Sequence, residues 1–175
     1  LGKNDNEYKS SPQLELLGDV ELQSHFPMFK KTKDYNNFIT PKLSLKFSPN
    51  DMKNYANSER NINTDNIFSN NRIGLDDTFE SGGSLTLGFD YKKENLKDIN
   101  KYFEIKLATV LRDKEEDFIP KSSTINRKNS NIFGSVKNNF NENISLNYNF
   151  SLDNDFNKFE HNSIETEFSV NNFVT

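Results

Sequence analysis

The chain has 175 residues and a net charge of −4, which fits one domain and argues against nucleic acid as a partner. Only 33% of its residues are hydrophobic and the mean hydropathy is −0.85, too low for the core of an ordinary soluble domain of this size. The 16 Phe and 6 Tyr argue against disorder, and the absence of Cys excludes disulfides and thiolate metal sites.

The ends of the chain carry little information about targeting. No run of residues approaches the ~18 apolar positions of a membrane-spanning helix, and no stretch has the pattern of a signal peptide. Because the chain begins at Leu1 rather than Met, we expect it to be part of a longer protein.

Alternation of apolar and polar residues predicts strands throughout. In the stretch 84–92, four apolar side chains fall on one parity and polar ones on the other; the apolar four are Leu85, Leu87, Phe89 and Tyr91. Successive side chains of a strand point to opposite faces, so this stretch has one apolar and one polar face. The same period predicts about seven strands, at 13–26, 38–48, 84–92, 101–112, 130–140, 143–153 and 160–173.

Glycine and proline predict irregularities in the first two strands. Gly18 interrupts the apolar parity and favours a bulge or bend, and Pro27 should end the first strand or lie at its margin. The stretch 30–37 is expected to form a short charged turn. Pro41 lacks an N–H group, which predicts an edge strand or a bulge. Asn141 and Glu142 are expected to form a tight hairpin turn.

The connections largely alternate between short and long. Those at 30–37, 93–100, 141–142 and 154–159 are short or moderate, whereas 49–82 and 113–129 are long and polar. This pattern is typical of an up-and-down meander whose long loops lie at one rim, and strands of roughly 9–12 residues are long enough to cross a bilayer at a tilt. The predicted fold is therefore all-β: an antiparallel up-and-down meander of about seven strands, part of a transmembrane β-barrel, and an open, curved sheet in this chain.

Three stretches in a fixed order resemble the lipopolysaccharide-assembly protein LptD (OstA/Imp) family, in a middle-to-late section of its barrel. They are F-I-T-P-K-L-S-L-K-F-S-P (38–49), N-I-F-S-N-N-R-I-G-L-D-D-T-F-E-S-G-G (66–83) and L-T-L-G-F-D-Y (85–91). The positions that match the family's loop motif are Phe68, Asn71, Arg72, Gly74 and Asp76.

Departures from the family pattern occur at three places. Asp77 stands where the family usually has Arg, 108–109 reads Ala-Thr instead of Gly-Gln, and Asn131 replaces an Asp. The resemblance covers 38–153 well and the flanks loosely.

The resemblance implies a place in the outer membrane and a role in lipopolysaccharide (LPS) transport and assembly. In the family, an LptE plug lipoprotein sits inside the barrel, a periplasmic jellyroll receives LPS from an LptA bridge, and LPS leaves between the first and last strands. This chain matches neither the jellyroll nor the gate strands, so it is expected to be wall, with outer-membrane lipid outside it. A general porin or receptor barrel, or a soluble secreted β-sandwich, remains an alternative.

No catalytic constellation is present, so an enzyme is not expected, and no catalytic, cofactor or metal residue is assigned. His25 and His161 are far apart and read as surface residues. Asp76, Asp77 and Glu80 could form a Ca²⁺ site, but acidic loop residues are more often simply solvated. Arg72 is expected to reach a carboxylate on a neighbouring strand or loop.

Charged residues on the polar parity of the strands are expected to face the barrel lumen. They are Lys42, Lys46, Glu104, Lys106 and Lys137, with Glu165 and Glu167 further along. They either form a path or plug surface for a phosphorylated glycolipid, since ammonium groups pair with phosphate, or merely keep a wide lumen hydrated.

Overall fold

The computed structural model describes residues 17–169, which form a single antiparallel β-sheet. Its strands are β1 (Val20–His25), β2 (Met28–Lys31), β3 (Tyr35–Ser48), β4 (Gly82–Asn95), β5 (Tyr102–Arg112), β6 (Ile132–Asn141), β7 (Ile144–Leu152) and β8 (Phe159–Phe168). The order across the sheet is β1-β3-β4-β5-β6-β7-β8, with β2 also beside β3. Within residues 17–169 the sheet does not close on itself, so the predicted all-β meander with an open sheet is confirmed.

The first two strands are halves of one. His25 pairs with Lys42 and Met28 with Ile39, so three residues advance on both sides and the register is unbroken. Pro27 falls in the gap, where its missing N–H interrupts the ladder without adding a bulge. The sheet is therefore seven strands wide. The prediction of a turn over all of 30–37 is wrong, because β2 and β3 occupy most of that stretch and leave only 32–34 as the turn.

Three other local predictions differ from the structure. Pro41 lies inside β3, which is paired on both sides in unbroken register, so it marks neither an edge nor a bulge. Gly18 precedes β1 rather than bulging within it, and the β6–β7 turn falls at 142–143. The parts of the predicted first and last strands at 13–16 and 170–173 lie outside the described residues.

Both long connections, 49–81 and 113–131, leave the sheet at the same end, here the long-connection end, which also carries the shorter connection 153–158. The opposite, short-turn end carries 32–34, 96–101 and 142–143. The connection 113–131 includes one turn of 3-10 helix, Lys121–Ser123. No helix in residues 17–169 is long and apolar enough to cross a membrane.

The buried core lies between one face of the sheet and two long connections that fold back over it. Connections 49–81 and 113–131 contribute most of the core and the sheet adds three small or aromatic side chains. The core residues are Met52, Ile62, Ile67, Ile73, Ala108, Val110, Ile119, Ile125 and Phe133. A core of this kind needs few apolar residues, which accounts for the low hydropathy of the chain.

Candidate functional site on the two faces of the sheet

The sheet face under the long connections, here the loop-covered face, is polar and buried. Pairing aligns its residues in rows across the strands, such as Ser44–Thr86–Val110 and Lys46–Ser84–Arg112. Each of these six side chains belongs to a residue with under 9% of its surface exposed. Small hydroxyl side chains leave room for the connections to approach the sheet closely.

The opposite face, here the apolar face, has the reverse character. One of its rows reads Ile39–Tyr91–Ile105–Val136–Tyr148–Ile164 across six strands. Large apolar side chains on this face are open to the surroundings: Leu45 is 47% exposed, Phe47 54%, Leu87 40%, Phe89 39% and Leu107 37%. Within residues 17–169 no second layer packs on this face. Polar groups are therefore buried and apolar groups exposed, the opposite of a β-sandwich in water.

A buried ion cluster fixes connection 49–81 to the loop-covered face. The Arg72 guanidinium donates from Nε to Glu80 Oε2 at 2.7 Å and from Nη2 to Glu80 Oε1 at 2.5 Å, a bidentate pair. Its remaining donors reach Thr86 Oγ1 at 2.7 Å and Ser84 Oγ at 2.8 Å on β4. Arg112 of β5 donates to Glu80 Oε1 from the other side. The expected carboxylate partner of Arg72 is thus Glu80 of the same connection.

The charges of this cluster explain the protonation state of Glu80. Burial raises the pKa of Glu80, but the nearby guanidinium groups of Arg72 and Arg112, with Lys46 beyond them, lower it to about 2. A carboxylate held ionised between two arginines binds connection 49–81 to β4 and β5 at one point.

Phe68 packs into a notch in the sheet. Its ring lies over Gly88 of β4, where an added Cβ would come within 2.5 Å of Cζ and would displace the ring. The Lys42 ammonium lies 5.6 Å from the ring centroid and the His25 ring meets it edge-on at 6.4 Å. Phe68 therefore anchors connection 49–81 at a second point.

Asn71 and Gly74 shape the turn that presents Arg72. Asn71 Oδ1 accepts from Leu75 N at 3.1 Å and Asn71 Nδ2 donates to Leu75 O at 2.9 Å. Gly74 has φ +70°, a left-handed conformation that favours glycine, and its open side is filled by the Arg60 guanidinium. Arg60 Nε in turn donates to Arg72 O at 2.7 Å. Four of the five motif residues thus build or carry one docked turn.

Asp76, the fifth motif residue, is exposed and takes no part in the contacts of this turn. Its neighbour Asp77 accepts from Lys53 Nζ and Tyr55 OH, each at 2.8 Å, and these bonds lower the pKa of Asp77. Glu80 points to the arginines instead. The three carboxylates considered as a Ca²⁺ site are thus divided between different partners, and residues 17–169 contain no group of three metal-ligating side chains.

The five charged strand residues assigned to the lumen all lie on the loop-covered face. Lys42 pairs with Asp90 at 2.5 Å, and Lys106 lies 3.3 Å from Asp65 and 3.6 Å from Glu104. Lys46 is buried, donates to Asn70 O and lies 3.4 Å from Asp19. Lys137 pairs in register with Glu104. Two of the lysines thus bind the covering connection itself rather than facing open water.

The sequence interpretation missed two contributors to this face. Arg112 ends β5 and Asn131 immediately precedes β6, so the alternation alone places both at strand margins. Asn131 is fully buried, and its Nδ2 donates to Ser151 Oγ at 2.9 Å and to Glu160 Oε2 at 2.7 Å. The available signal was the family comparison at position 131, where Asn stands in place of Asp. His25 and His161 lie on β1 and β8, at opposite edges of the sheet.

Comparison with known proteins identifies the family of this chain. A family model described as LptD, LPS transport system D, matches residues 2–175. A search of curated proteins finds no match to this chain. The LptD family is an outer-membrane family of LPS transport and assembly, and not a family of enzymes. With almost its whole length matched, the chain belongs to the LptD family.

Proposed function

We propose that this chain forms a sector of the wall of an outer-membrane β-barrel that transports LPS to the outer leaflet. The observation that carries the proposal is the inversion of the two faces: large apolar side chains are exposed and polar ones are buried. Lipid is the solvent in which such a surface is stable, because it removes the cost of exposing leucine and phenylalanine to water.

The height of the apolar face supports this assignment. From the Ile39 row to the Phe47 row, β3 advances eight residues, about 27 Å of strand. At the tilt of about 40–45° found in membrane barrels, this gives an apolar band about 20 Å tall, close to the height of about 25 Å of their lipid-facing surface.

The loop-covered face would then line the interior of the barrel. Because two connections are already docked on it, this sector of the lumen is filled by the chain itself. LPS and a plug lipoprotein of the LptE type would contact the surface of these connections that is turned away from the sheet, rather than the strands. By family membership we also propose an LptA-like bridge as the periplasmic supplier of LPS, and the outer membrane as the location of the chain.

Adjacent residues on opposite faces offer a direct test in native membranes. The chain has no Cys, so the matched variants Leu146→Cys and Asn147→Cys place a single nitroxide label on the apolar face or on the loop-covered face. Accessibility to oxygen, which concentrates in lipid, should be high at 146 and low at 147. Accessibility to a water-soluble nickel chelate should show the reverse or be low at both positions.

Equal oxygen accessibility at the two positions, or extraction of the protein by carbonate and urea, would contradict a lipid-facing wall. Co-purification with a plug lipoprotein distinguishes the LPS translocon from a general porin. Loss of that partner with retained nitroxide contrast would keep the wall assignment and remove the LptE-like partner.

A further inference from the structure

Two lysines lie in one row at the short-turn end of the apolar face. Lys30 of β2 and Lys93 of β4 both pair with Asn37 of β3, so they flank it in one row of the sheet. The next row toward the centre of the face begins Met28–Ile39–Tyr91 and is apolar. The apolar face therefore ends on a row that carries two ammonium groups.

Aromatic and amide groups hold this row in place. The Lys93 ammonium lies 4.1 Å from the centroid of the Tyr35 ring, and the Tyr91 hydroxyl donates to Asn37 Oδ1 at 3.0 Å. Asn37 Nδ2 donates to Lys30 O at 3.3 Å. The two lysine Cα atoms flank one strand and are about 10 Å apart, so both long side chains can reach a single phosphate group.

The positive charge of this row is not compensated on its own face. Within residues 17–169 neither Lys30 nor Lys93 takes part in an ion pair. The carboxylate next in sequence, Glu94, points to the other face and is engaged by Lys92 at 2.9 Å. Asp34 lies in the turn beyond the row.

The two ends of the sheet also differ in charge. The strand ends and turns at 28–37 and 91–103 carry seven lysines and three acidic residues, and the turn at 142–143 adds one Glu. The three connections at the long-connection end carry twelve acidic and eight basic residues. The short-turn end is therefore the positive end of a chain whose net charge is negative.

We propose that the Lys30–Asn37–Lys93 row binds the phosphate of an anionic phospholipid in the leaflet at the short-turn end. The inference rests on the proposed lipid-facing wall. Lysine and tyrosine at the edge of an apolar band are suited to the membrane–water interface, and ammonium groups pair with phosphate. Short turns of outer-membrane barrels lie on the periplasmic side, so the lipid within reach is a phospholipid of the inner-facing leaflet rather than LPS.

The test uses the whole protein reconstituted in phosphatidylcholine vesicles with trace spin-labelled phosphatidylglycerol. The motionally restricted fraction of the labelled lipid gives its association constant relative to labelled phosphatidylcholine. In Lys30→Gln/Lys93→Gln the preference for phosphatidylglycerol should fall about tenfold, since each lysine near an anionic headgroup contributes substantially to binding. Lys30→Arg/Lys93→Arg should retain it. Lys114→Gln/Lys128→Gln removes the same charge from the long-connection end and should leave it unchanged.

Three results would overturn the proposal. The preference for phosphatidylglycerol could be unchanged in Lys30→Gln/Lys93→Gln, or it could fall equally in Lys114→Gln/Lys128→Gln. The Lys30→Gln/Lys93→Gln variant could also lose only the binding of added LPS and keep its preference for phosphatidylglycerol. Carbonate-resistant insertion, measured on the same samples, reports separately on the wall. Insertion without a lysine-dependent preference removes the headgroup site alone, whereas failure to insert removes the proposed function and the site with it.

Discussion

Asn131 is buried where connection 113–131 meets β7 and β8, and it donates both to Ser151 and to Glu160. A carboxylate at this position could not donate and would face the Glu160 carboxylate at hydrogen-bond distance. We therefore expect Asn131→Asp to lower the free energy of unfolding by about 1–3 kcal/mol at pH 7. The loss should shrink at acid pH, because a protonated Asp can donate again. Urea unfolding in lipid vesicles measures both effects.

The control for this prediction is Asn129→Asp, two residues away and exposed. It makes the same chemical change without burial and should leave stability nearly unchanged. An equal effect of the two substitutions would show that the Asn131 contacts do not discriminate between amide and carboxylate.

Glu80 gives the cluster of two arginines its negative charge. Its folded pKa of about 2 lies below the ordinary value of 4.5, so the stabilisation is present above about pH 4.5 and is lost as the pH falls toward 2. Glu80→Gln leaves the two guanidinium groups buried without a carboxylate and should cost about 3–5 kcal/mol at pH 7. The variant should also lose the part of the acid dependence that falls between pH 4.5 and 2.

Glu59 provides the comparison, because it lies exposed in the same connection. Glu59→Gln should change neither the unfolding free energy nor its acid dependence. If Glu80→Gln were as mild as Glu59→Gln, the ion cluster would contribute no net stability to the docked connection.

Connection 49–81 depends on its anchors because it has no helix or strand of its own. Phe68→Ala removes the ring that fills the notch over Gly88 and should loosen the connection while leaving the strands intact. Trypsin should then cleave faster after Arg60 and Arg72, as measured by the fragments released from membrane-embedded protein. Gly88→Ala should give the same result from the other side, since its Cβ would displace the Phe68 ring.

Phe156→Ala is the matched control, because that ring is 68% exposed in the β7–β8 connection. It should leave cleavage after Arg60 and Arg72 at the native rate. Cleavage that is equally slow in Phe68→Ala would mean that the ion cluster alone holds the connection.

The strands could be predicted from sequence because successive side chains of a strand face two different environments, which gives a local alternation of apolar and polar residues.

The docking of the connections could not be predicted in this way. It depends on contacts such as Arg72 with Thr86 and Phe68 with Gly88, which join residues that are far apart in sequence and follow no period. Isolated apolar residues in the polar connections are the local trace of the core: Met52, Ile62, Ile67, Ile73, Ile119 and Ile125. β2 was missed because Pro27 interrupts the ladder although the register continues. Arg72 could be assigned a carboxylate partner from its motif, but the second arginine on Glu80 could not.

At the scale of the whole molecule, the described sheet has one edge at β1 and β2 and the other at β8. β8 is exposed along its entire length, so its outer backbone groups find no partner among residues 17–169. Such edges template pairing with other chains in water and are not tolerated in lipid. When no further strands extend the sheet, these open edges should make the chain associate with other copies of itself.

We therefore expect residues 1–175, expressed alone and refolded from urea, to form concentration-dependent oligomers or aggregates in sedimentation velocity. Ile164→Lys should reduce this association, because a charge on the outer strand opposes both edge pairing and contact between apolar faces. Ile99→Lys places the same charge in an exposed turn away from the edges and should have little effect. A monodisperse monomer with cooperative unfolding would show that the sheet is stable with open edges, and would remove the physical reason for requiring it to be part of a closed wall.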